Sequence, residues 1–377
     1  MVFASHNNII SGLGFSTEEN YQAVLNSKLA VKKTTLPFSK EEFCIATIDQ
    51  TLLNNRFSNI DDPKHFTKLE QLSILSINEV ITNSGINPTD EKTVLIYSTT
   101  KGNIDLLEKE KIPNIDKKRA YLFEFANVLK RHFNFKNNPI VLSNACISGI
   151  LAIIIAKRFI EKGTYNHVIV CGGDIISEFT LSGFKSFNAL SNEACRPFDK
   201  DRVGINLGEA VSSILITNHK SLSKPYETQI ISGFSANDAN HISGPSRTGD
   251  GLLQCLNQLN ITSTNHIGFI SAHGTATVFN DEMESVAIER AHLTDIPVNS
   301  LKGYYGHTLG AAGVLETILS LESLKNQTLI KSAGFKNTGV TGKISVIEQF
   351  EKKSFQSFIK TAAGFGGCNA AAFFSKI

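Results

Sequence analysis

Cys146 is the residue whose surroundings in the sequence most favour covalent chemistry. It lies in residues 143–149, after the apolar run Ile140–Leu142, which predicts a buried strand, and before the helical pattern of residues 148–162. A cysteine beside a helix N-terminus meets unpaired N–H groups and the positive end of the helix dipole, and both favour the thiolate. Such a thiolate can attack a thioester carbonyl, and the neighbouring N–H groups can receive the oxyanion. The alternative is a small apolar side chain packed beneath a tight turn.

Two histidines follow strand-like runs later in the chain. His273 comes directly after the apolar residues 267–270, and His307 lies in the glycine-rich residues 302–313, between a predicted strand and a predicted helix. Parallel strands deliver the residues at their carboxyl ends to the sheet edge where α/β folds bind ligands. Either histidine alone is more often a structural side chain. One thiol and two imidazoles at three strand ends together favour a catalytic site.

A further feature is the Gly-Phe-Gly-Gly segment of residues 364–367, which follows the strand-like residues 357–363. Three glycines around one phenylalanine predict a backbone that bends sharply and approaches another group closely. The alternative is an ordinary glycine-rich hairpin, because residues 370–374 predict another strand. A shorter Gly-Leu-Gly segment at residues 12–14 lacks the third glycine of a dinucleotide-binding fingerprint, so packing explains it better.

The elements that position these residues alternate along the chain. Strand-like runs occupy residues 94–97, 140–142, 168–171, 211–217, 267–270 and 344–347, and helical patterns occupy residues 17–26, 68–84, 120–133, 148–162, 281–292 and 311–325. Alternation of this kind predicts an α/β fold with a largely parallel sheet.

The chain also repeats short patterns. Residues 9–15 (IISGLGF) are echoed by residues 230–235 (IISGFS), and residues 139–143 and 297–301 each lead into a small-residue turn and an apolar helix. These echoes predict two similar halves, which are residues 1–224 with the cysteine and residues 225–377 with the two histidines. The polar residues 221–225 are suited to the connection between the halves.

Composition restricts the class of protein. The 377 residues are 41% hydrophobic and 19% charged, which is enough for a sizeable core and unlike a disordered chain. Lys and Arg (37) nearly balance Asp and Glu (35), so bulk charge does not indicate binding to nucleic acid or to an anionic membrane. Six cysteines without a CxxC pair or a Cys/His cluster at metal-ligand spacing predict neither a disulfide framework nor a metal site. The sequence has no signal-peptide pattern and no apolar stretch of membrane-spanning length, so a cytoplasmic protein is expected.

Taken in order, the motifs resemble those of the β-ketoacyl-acyl carrier protein synthases, in particular the elongating type with a Cys-His-His site. The resemblance covers almost the whole chain, at residues 10–14, 144–146, 196–202, 208–210, 273–275, 280–284, 302–316 and 364–367. It implies a thiolase-like α/β fold in which two repeated halves form a layered αβαβα core.

The resemblance implies a role for each matching residue. Cys146 is expected to be the nucleophile that accepts the acyl chain, with the oxyanion held by the backbone N–H groups of Cys146 and Phe365. His273 and His307 are expected to bind the malonyl thioester and to assist loss of its carboxylate, while Phe365 gates the acyl pocket. Lys302 is expected to hold the network beside His307. The supporting residues are Glu316, Asp281 and Glu284.

The implied reaction is a decarboxylative Claisen condensation of malonyl-acyl carrier protein with an acyl group held on Cys146. It would serve fatty acid biosynthesis or the biosynthesis of polyketides and polyenes. No metal or cofactor is expected, because the substrates travel on the phosphopantetheine arm of acyl carrier protein. The expected partners are that carrier protein and a second copy of the chain, or a chain-length factor in a heterodimer. No nucleic acid or membrane is expected as a partner.

Two other functions remain open at this point. A non-decarboxylating thiolase-like acyltransferase uses a second cysteine in the last glycine-rich loop, and Cys368 lies there. A chain-length factor resembles the synthases but lacks the nucleophile, so Cys146 argues against that role. The chain departs from the family pattern at residues 98–103, 203–205 and 361–363, which leaves the acyl-chain specificity open.

Overall fold

The computed structural model describes residues 1–108, 115–224, 226–259, 261 and 266–377. Its strands are β1 (Phe3–Ser11), β2 (Lys32–Thr35), β3 (Glu42–Ala46), β4 (Thr93–Ser98), β5 (Ile140–Leu142), β6 (His167–Asp174), β7 (Leu207–Gly208), β8 (Ala210–Thr217), β9 (Thr228–Asn237), β10 (Ile267–Ser271), β11 (Pro297–Asn299), β12 (Thr328–Leu329), β13 (Ser345–Val346), β14 (Glu351–Lys352), β15 (Ser357–Gly364) and β16 (Cys368–Lys376). Its α-helices are α1 (Thr17–Leu25), α2 (Gln50–Phe57), α3 (Lys68–Ser84), α4 (Leu122–Phe133), α5 (Ser148–Glu161), α6 (Glu178–Ser186), α7 (Asp250–Asn257), α8 (Val278–Arg290), α9 (Lys302–Tyr305) and α10 (Ala312–Asn326).

The large sheet contains two copies of the same strand arrangement. Its order is β13-β11-β10-β15-β16-β9-β1-β8-β6-β4-β5. When the five main strands of each half are numbered in chain order, both halves read 3-2-4-5-1, and β13 is an extra edge strand on the second half. The sequence echoes fall on equivalent strands, since β1 corresponds to β9 and β5 to β11. The prediction of an α/β fold with two similar halves is therefore confirmed. The boundary at residue 225 stays a prediction, because Pro225 lies outside the described residues.

The prediction of a largely parallel sheet is wrong at the centre of the sheet. Strands β4, β5 and β6 pair in parallel, as do β10, β11, β13 and β15. The pairs β6–β8, β8–β1, β1–β9, β9–β16 and β16–β15 are antiparallel. A short turn can join antiparallel strands only, and β15 and β16 are separated by the glycine-rich residues 365–367. The last strand of each half therefore reverses direction.

Helices and sheet stack in five layers. α5 and α10 pack against each other and lie between the sheet regions of the two halves. α3 covers the outer face of the first half, while α7 and α8 cover that of the second. A helix between two sheets has no solvent face, which explains why almost every residue of α10 is buried. The predicted αβαβα core is thus present.

α5 and α10 approach each other through glycines at their first turns. A Cβ on Gly149 would lie 2.9 Å from the nitrogen of Val314 and 3.0 Å from the α-carbon of Gly313. A larger side chain at either glycine would force the helices apart. The close contact matters because Cys146 immediately precedes α5 and His307 shortly precedes α10.

The described part of the chain has no helix that is both long and apolar enough to cross a membrane.

Candidate active site

Cys146 lies in a tight turn between β5 and α5. The preceding Ala145 has a φ of 43°, in the left-handed region that residues with a Cβ rarely adopt. Ser148 holds this turn, since its hydroxyl accepts the N–H of Asn144 at 2.8 Å and donates to the carbonyl of Ala145 at 2.6 Å. The helix begins at Ser148, so Cys146 lies just before its N-terminus. The backbone of this turn presents the thiol at the carboxyl edge of the sheet.

The glycine-rich turn between β15 and β16 lies against the backbone of Cys146. A Cβ on Gly364 would lie 3.0 Å from the Cys146 nitrogen and 2.9 Å from Sγ of Cys368, so a side chain at this position would collide with both. The backbone N–H of Phe365 is near enough to the Cys146 thiol to lower its pKa. The oxyanion hole predicted from the N–H groups of Cys146 and Phe365 stays a prediction, and this placement is compatible with it.

The orientation of His307 is fixed by backbone hydrogen bonds. Its N–H donates to the carbonyl of Asn206 at 2.7 Å, and its carbonyl accepts the N–H of Gly208 at 3.0 Å. Nδ1 of the ring accepts the N–H of Leu309 at 3.3 Å, so the neutral ring carries its proton on Nε2. Within the described residues, the buried Nε2 has no hydrogen-bond partner. It is available to donate to a substrate oxygen.

Glu284 fixes the loop that carries His273. Its carboxylate accepts the N–H of His273 at 2.8 Å and the N–H of Gly274 at 2.6 Å. Asp281, one turn earlier on α8, accepts the N–H of Thr275 at 2.9 Å. Burial raises the pKa of Asp281 to about 6, because it outweighs the hydrogen bond from a backbone N–H that stabilises the charge. The two predicted supporting acids thus hold the backbone around His273.

The thiol and both imidazoles meet in one place. Sγ of Cys146 and one ring nitrogen each of His273 and His307 lie within 4.8 Å of one another. The imidazole centroids are 5.1 Å apart and the ring planes are at 84°. Burial, reinforced by the charge of Lys302, holds the pKa of both histidines well below the ordinary value of 6.5. Both rings are therefore neutral, with one nitrogen able to donate and the other able to accept.

Burial also changes the pKa of the Cys146 thiol. It raises the pKa of the Cys146 thiol above the ordinary value of 9.0, against the lowering effects of Lys101, Lys302 and the N–H of Phe365. The sequence-based expectation of a thiolate favoured by the helix N-terminus is thus outweighed by desolvation of the charge. The sulfur must lose its proton during attack. A ring nitrogen of His273 within 4.8 Å can accept it, whereas Nε2 of His307 already carries a proton.

Lys302 is buried with Glu316, at an Nζ–Oε1 distance of 2.6 Å. The carbonyl of Lys302 accepts the N–H of Gly306 at 2.8 Å, directly before His307. A second lysine, Lys360, lies 2.8 Å from Oε2 of the same carboxylate. The buried ion pair therefore anchors the turn that leads to His307.

A cavity of about 450 Å³ opens from the surface to these three side chains. Its wall is mostly apolar and includes Phe184, Phe187, Val203, Ile205, Val278 and Phe279. Polar groups on the wall include Thr275, Thr277 and Ser243. A mostly apolar cavity with a few polar groups at one end suits a flexible substrate with a polar arm and an apolar chain.

Phe365 belongs to an aromatic cluster on this wall. Its ring centroid is 5.6 Å from that of Phe184, with the planes at 29°, and 5.3 Å from that of Phe187, with the planes at 65°. Phe187 is about half exposed, so one side of the cluster faces solvent. The ring of Phe365 thus lies between the thiol and the aromatic side chains of α6 and its C-terminal end.

Sequence reasoning missed Phe184, Phe187, Asp174 and Lys360. Asp174, at the end of β6, accepts the N–H of Thr100 at 2.9 Å and the N–H of Gly310 at 2.7 Å, which ties the loop after β4 to the loop after His307. An available signal for Lys360 was its charge within the otherwise apolar strand β15. For the two phenylalanines, the signal was their spacing of one helical turn.

Cys368, the second cysteine of the glycine-rich loop, faces away from the cavity. Its Sγ lies 3.3 Å from the carbonyl oxygen of Phe365, and burial raises its pKa to about 12. Its neighbours Gly367 and Asn369 line the cavity, whereas Cys368 is not among the described residues that do. The second thiol is therefore buried against the loop backbone and is not on the described wall of the cavity.

Comparison with protein families gives two matches in sequence order. The Beta-ketoacyl synthase, N-terminal domain, matches residues 26–221, which include Cys146. The Beta-ketoacyl synthase, C-terminal domain, matches residues 229–336, which include His273 and His307. The two matches thus divide the thiol and the imidazoles between them.

Individual proteins are similar over most of the chain. The 3-oxoacyl-[acyl-carrier-protein] synthase 2 of Vibrio harveyi is 25% identical in an alignment that covers 98% of this chain and 97% of the relative. The protein of the same name from Rhizobium meliloti is 33% identical in an alignment that covers 60% of this chain and 58% of the relative. A chain from the complex of a Xenorhabdus doucetiae ketosynthase with its chain length factor matches with a TM-score of 0.87 and 23% identity, over 100% of this chain and 98% of that chain. The expected thiolase-like fold is confirmed by this similarity.

Proposed function

Because this chain belongs to the β-ketoacyl synthase family, we propose that it is an acyltransferase that extends an acyl chain by decarboxylative Claisen condensation with a malonyl unit. Both substrates are thioesters of acyl carrier protein, the carrier that the names of its relatives contain. The observation that carries the proposal is the meeting of one thiol and two neutral imidazoles within 4.8 Å at the inner end of a mostly apolar cavity.

The first half-reaction loads the acyl chain on Cys146. Its sulfur attacks the carbonyl of the acyl thioester, the N–H groups of Cys146 and Phe365 receive the oxyanion, and the carrier thiol leaves. The aromatic cluster of Phe184, Phe187 and Phe365 stands where the chain must pass. Movement of Phe365 would open the path from the thiol into the apolar part of the cavity.

The second half-reaction forms the carbon–carbon bond. Loss of the malonyl carboxylate as carbon dioxide leaves an enolate, whose oxygen requires hydrogen-bond donors. Nε2 of His307 is a buried donor without a partner among the described residues, and the ring of His273 lies beside it. The enolate carbon then attacks the acyl thioester on Cys146, and the sulfur leaves with its bonding electrons. Neutral imidazoles serve this step because each keeps the proton that it donates as a hydrogen bond.

We also propose that the protein works as a dimer and that acyl carrier protein docks at the mouth of the cavity. The second chain is a copy of this one or a chain-length factor. The similar Xenorhabdus structure contains a ketosynthase with its chain length factor, which keeps the heterodimer as an alternative. The presence of Cys146 supports the role of catalytic member for this chain in either case.

A thiolase-like reaction without decarboxylation is less well supported. It requires a second thiol that can reach the substrate, and Cys368 faces the carbonyl of Phe365 instead. The two histidines and the buried Lys302–Glu316 pair fit the stabilisation of an enolate formed by decarboxylation.

The proposal is tested by loading the purified protein with acyl carrier thioesters of different chain length and unsaturation. Intact-protein mass spectrometry identifies the acyl groups that attach, and Cys146→Ala is the control for the site of attachment. Labelled malonyl-carrier protein then measures the release of carbon dioxide and the β-ketoacyl product. Acylation at Cys146 followed by product formation is the expected result. No acylation with any thioester, or acylation that persists in Cys146→Ala, would overturn the proposal.

A further inference from the structure

Lys360 is a buried lysine in the middle of strand β15 that the proposed mechanism does not use. Its side chain is fully buried, and its ammonium donates to the carbonyls of Ser271 at 3.0 Å and Thr361 at 2.6 Å. The same Nζ lies 2.8 Å from Oε2 of Glu316. A lysine loses most of its hydration in such a position. The hydrogen bonds to carbonyls and the ion pair with a carboxylate must therefore compensate for the lost water.

The partners of Lys360 connect it to the support of His273. Ser271 is the last residue of β10, and Ala272 and His273 follow it directly. The adjacent Thr361 donates its hydroxyl to Oε1 of Glu284 at 3.1 Å, and the same oxygen accepts the N–H of His273. Lys360 therefore holds the end of the strand that delivers one imidazole.

The ion pair connects Lys360 to the support of His307. Glu316 bridges two lysines, with Oε1 facing Lys302 at 2.6 Å and Oε2 facing Lys360. Lys302 begins the short helix α9, which ends directly before the turn to His307. A single ammonium on β15 thus contacts both frameworks that carry the imidazoles.

We infer that Lys360 is a positioning residue for the histidine pair, because it ties the end of β10 behind His273 to the Glu316–Lys302 pair behind His307. The role concerns the second half-reaction of the proposed function, on which it rests. Loading of Cys146 needs a proton acceptor but not the spacing of the two imidazoles, so it should depend on Lys360 far less than decarboxylation does.

Lys360 also contributes to the charge that the two rings experience. The titratable groups that act on both rings are Lys302 and Lys360. His307 also acts on His273, and Lys101 acts on His307. Glu316 and Glu284 are the carboxylates that face Lys360. Both histidine pKa values are lowered first by burial and then by these cations. Removal of one cation should therefore raise them, so that each ring becomes protonated at a higher pH.

The test compares Lys360→Met with the wild-type protein. Methionine keeps the length and apolar stem of the side chain and removes the ammonium. Lys157→Met is the matched control, because Lys157 pairs with Glu161 on the far end of α5, away from the cavity. Acylation of Cys146, carbon dioxide release from malonyl-carrier protein and its pH profile are measured for each protein. Ring-nitrogen NMR of histidine-labelled protein reports the two imidazole pKa values without any substrate.

We expect Lys360→Met to lower malonyl decarboxylation by about a hundredfold, the scale of a small misplacement of reacting groups, while acylation falls far less. The acidic limb of the decarboxylation profile and both imidazole pKa values should move to higher pH. Circular dichroism checks the folding of each variant. If Lys360→Met does not fold, Lys360→Gln, which keeps an N–H donor but no charge, takes its place.

Equal loss of both half-reactions, or imidazole pKa values that do not move in a folded variant, would overturn the inference. Failure of the wild-type protein to acylate would contradict the proposed function instead, and the NMR measurement would still decide the role of Lys360.

Discussion

The rings of His273 and His307 meet nearly at right angles, with centroids 5.1 Å apart and planes at 84°. Each ring has its own support, which is the carboxylate of Glu284 for one and the Lys302–Glu316 pair for the other. Two donors held in this way can approach one oxygen atom from different directions without moving. In the proposed mechanism, these two rings act on the malonyl unit, while the thiol of Cys146 holds the acyl chain.

Replacement of Cys146 by alanine should abolish condensation and retain decarboxylation. The variant removes the sulfur that holds the acyl chain, whereas both histidines and their supports remain. Acylation is measured by mass spectrometry, and carbon dioxide release is measured separately with malonyl-carrier protein. β-Ketoacyl product from this variant would contradict the assignment of the nucleophile.

His273→Ala and His307→Ala should show the opposite pattern. Loss of an oxyanion donor or acid–base group raises the activation free energy by about 3–5 kcal/mol. The rate of decarboxylation should fall by the corresponding factor. Cys146 should still accept an acyl group in both variants, and more slowly in His273→Ala, because the nearby proton acceptor is lost there. Lys302→Ala should weaken the same step through a misplaced His307. The division of labour is wrong if these variants lose acylation and keep decarboxylation.

Phe365→Ala should impair acyl loading more than malonyl decarboxylation. In the first half-reaction the chain must pass the ring, which packs against Phe184 and Phe187, whereas the malonyl unit need not enter that region. Phe365→Leu, which keeps an apolar side chain and the backbone N–H, is the matched control. Equal losses in the two half-reactions would show that the loop acts only through its backbone.

The buried histidines predict acid-sensitive stability. In the folded chain the pKa values of His273 and His307 lie well below 6.5, whereas in the unfolded chain they return to about 6.5. Below that pH the unfolded state binds more protons, so the free energy of unfolding should fall as pH decreases. Each histidine contributes a slope of about 1.4 kcal/mol per pH unit until its folded pKa is reached.

Denaturant melts of the wild-type protein and of His307→Gln between pH 5 and pH 7 measure this slope. The variant should lose less stability on acidification than the wild-type protein, because it lacks one of the buried imidazoles. Parallel curves for the two proteins would show that His307 is protonated equally in both states.

We expect a dimer that forms along β5. This strand ends the large sheet, its three residues are half-buried in the single chain, and none is charged. An open edge of this kind normally carries a protecting charge or is covered. Light scattering should give a dimer at micromolar concentration, and Val141→Lys should dissociate it, whereas Ile231→Lys on β9 should not. A monomer with full activity would overturn this prediction.

Periodicity in the sequence predicted the main elements well, because most of them bury one face. α3 matches the helical pattern from Lys68 to Ser84, and β5 matches Ile140 to Leu142. Strand direction was predicted less well, since an apolar strand buried on both faces has the same pattern in parallel and antiparallel pairs. The strand β8 shows this most clearly, whereas the alternative of a hairpin at residues 364–367 is what β15 and β16 form.

The candidate site shows the same limit. Cys146, His273 and His307 stand beside glycine-rich turns that mark strand ends, so their residue types and positions were informative. The raised pKa of the Cys146 thiol could not be predicted, because it depends on burial by residues of the other half of the chain. Lys360 was missed because its partners, Ser271 and Glu316, are distant in sequence.

The repeated strand order gives Cys146 and His307 equivalent places in the two halves. Cys146 follows β5 and precedes α5, and His307 follows β11 and precedes α10, where β5 and β11 are the third main strand of each half. The backbone is therefore nearly symmetric where the chemistry is not. Two identical halves would carry the same side chain at both places, so the difference between Cys146 and His307 belongs to the divergence of the halves. In the proposed function, that difference gives the covalent step to one half and the hydrogen-bond donors for the enolate to the other.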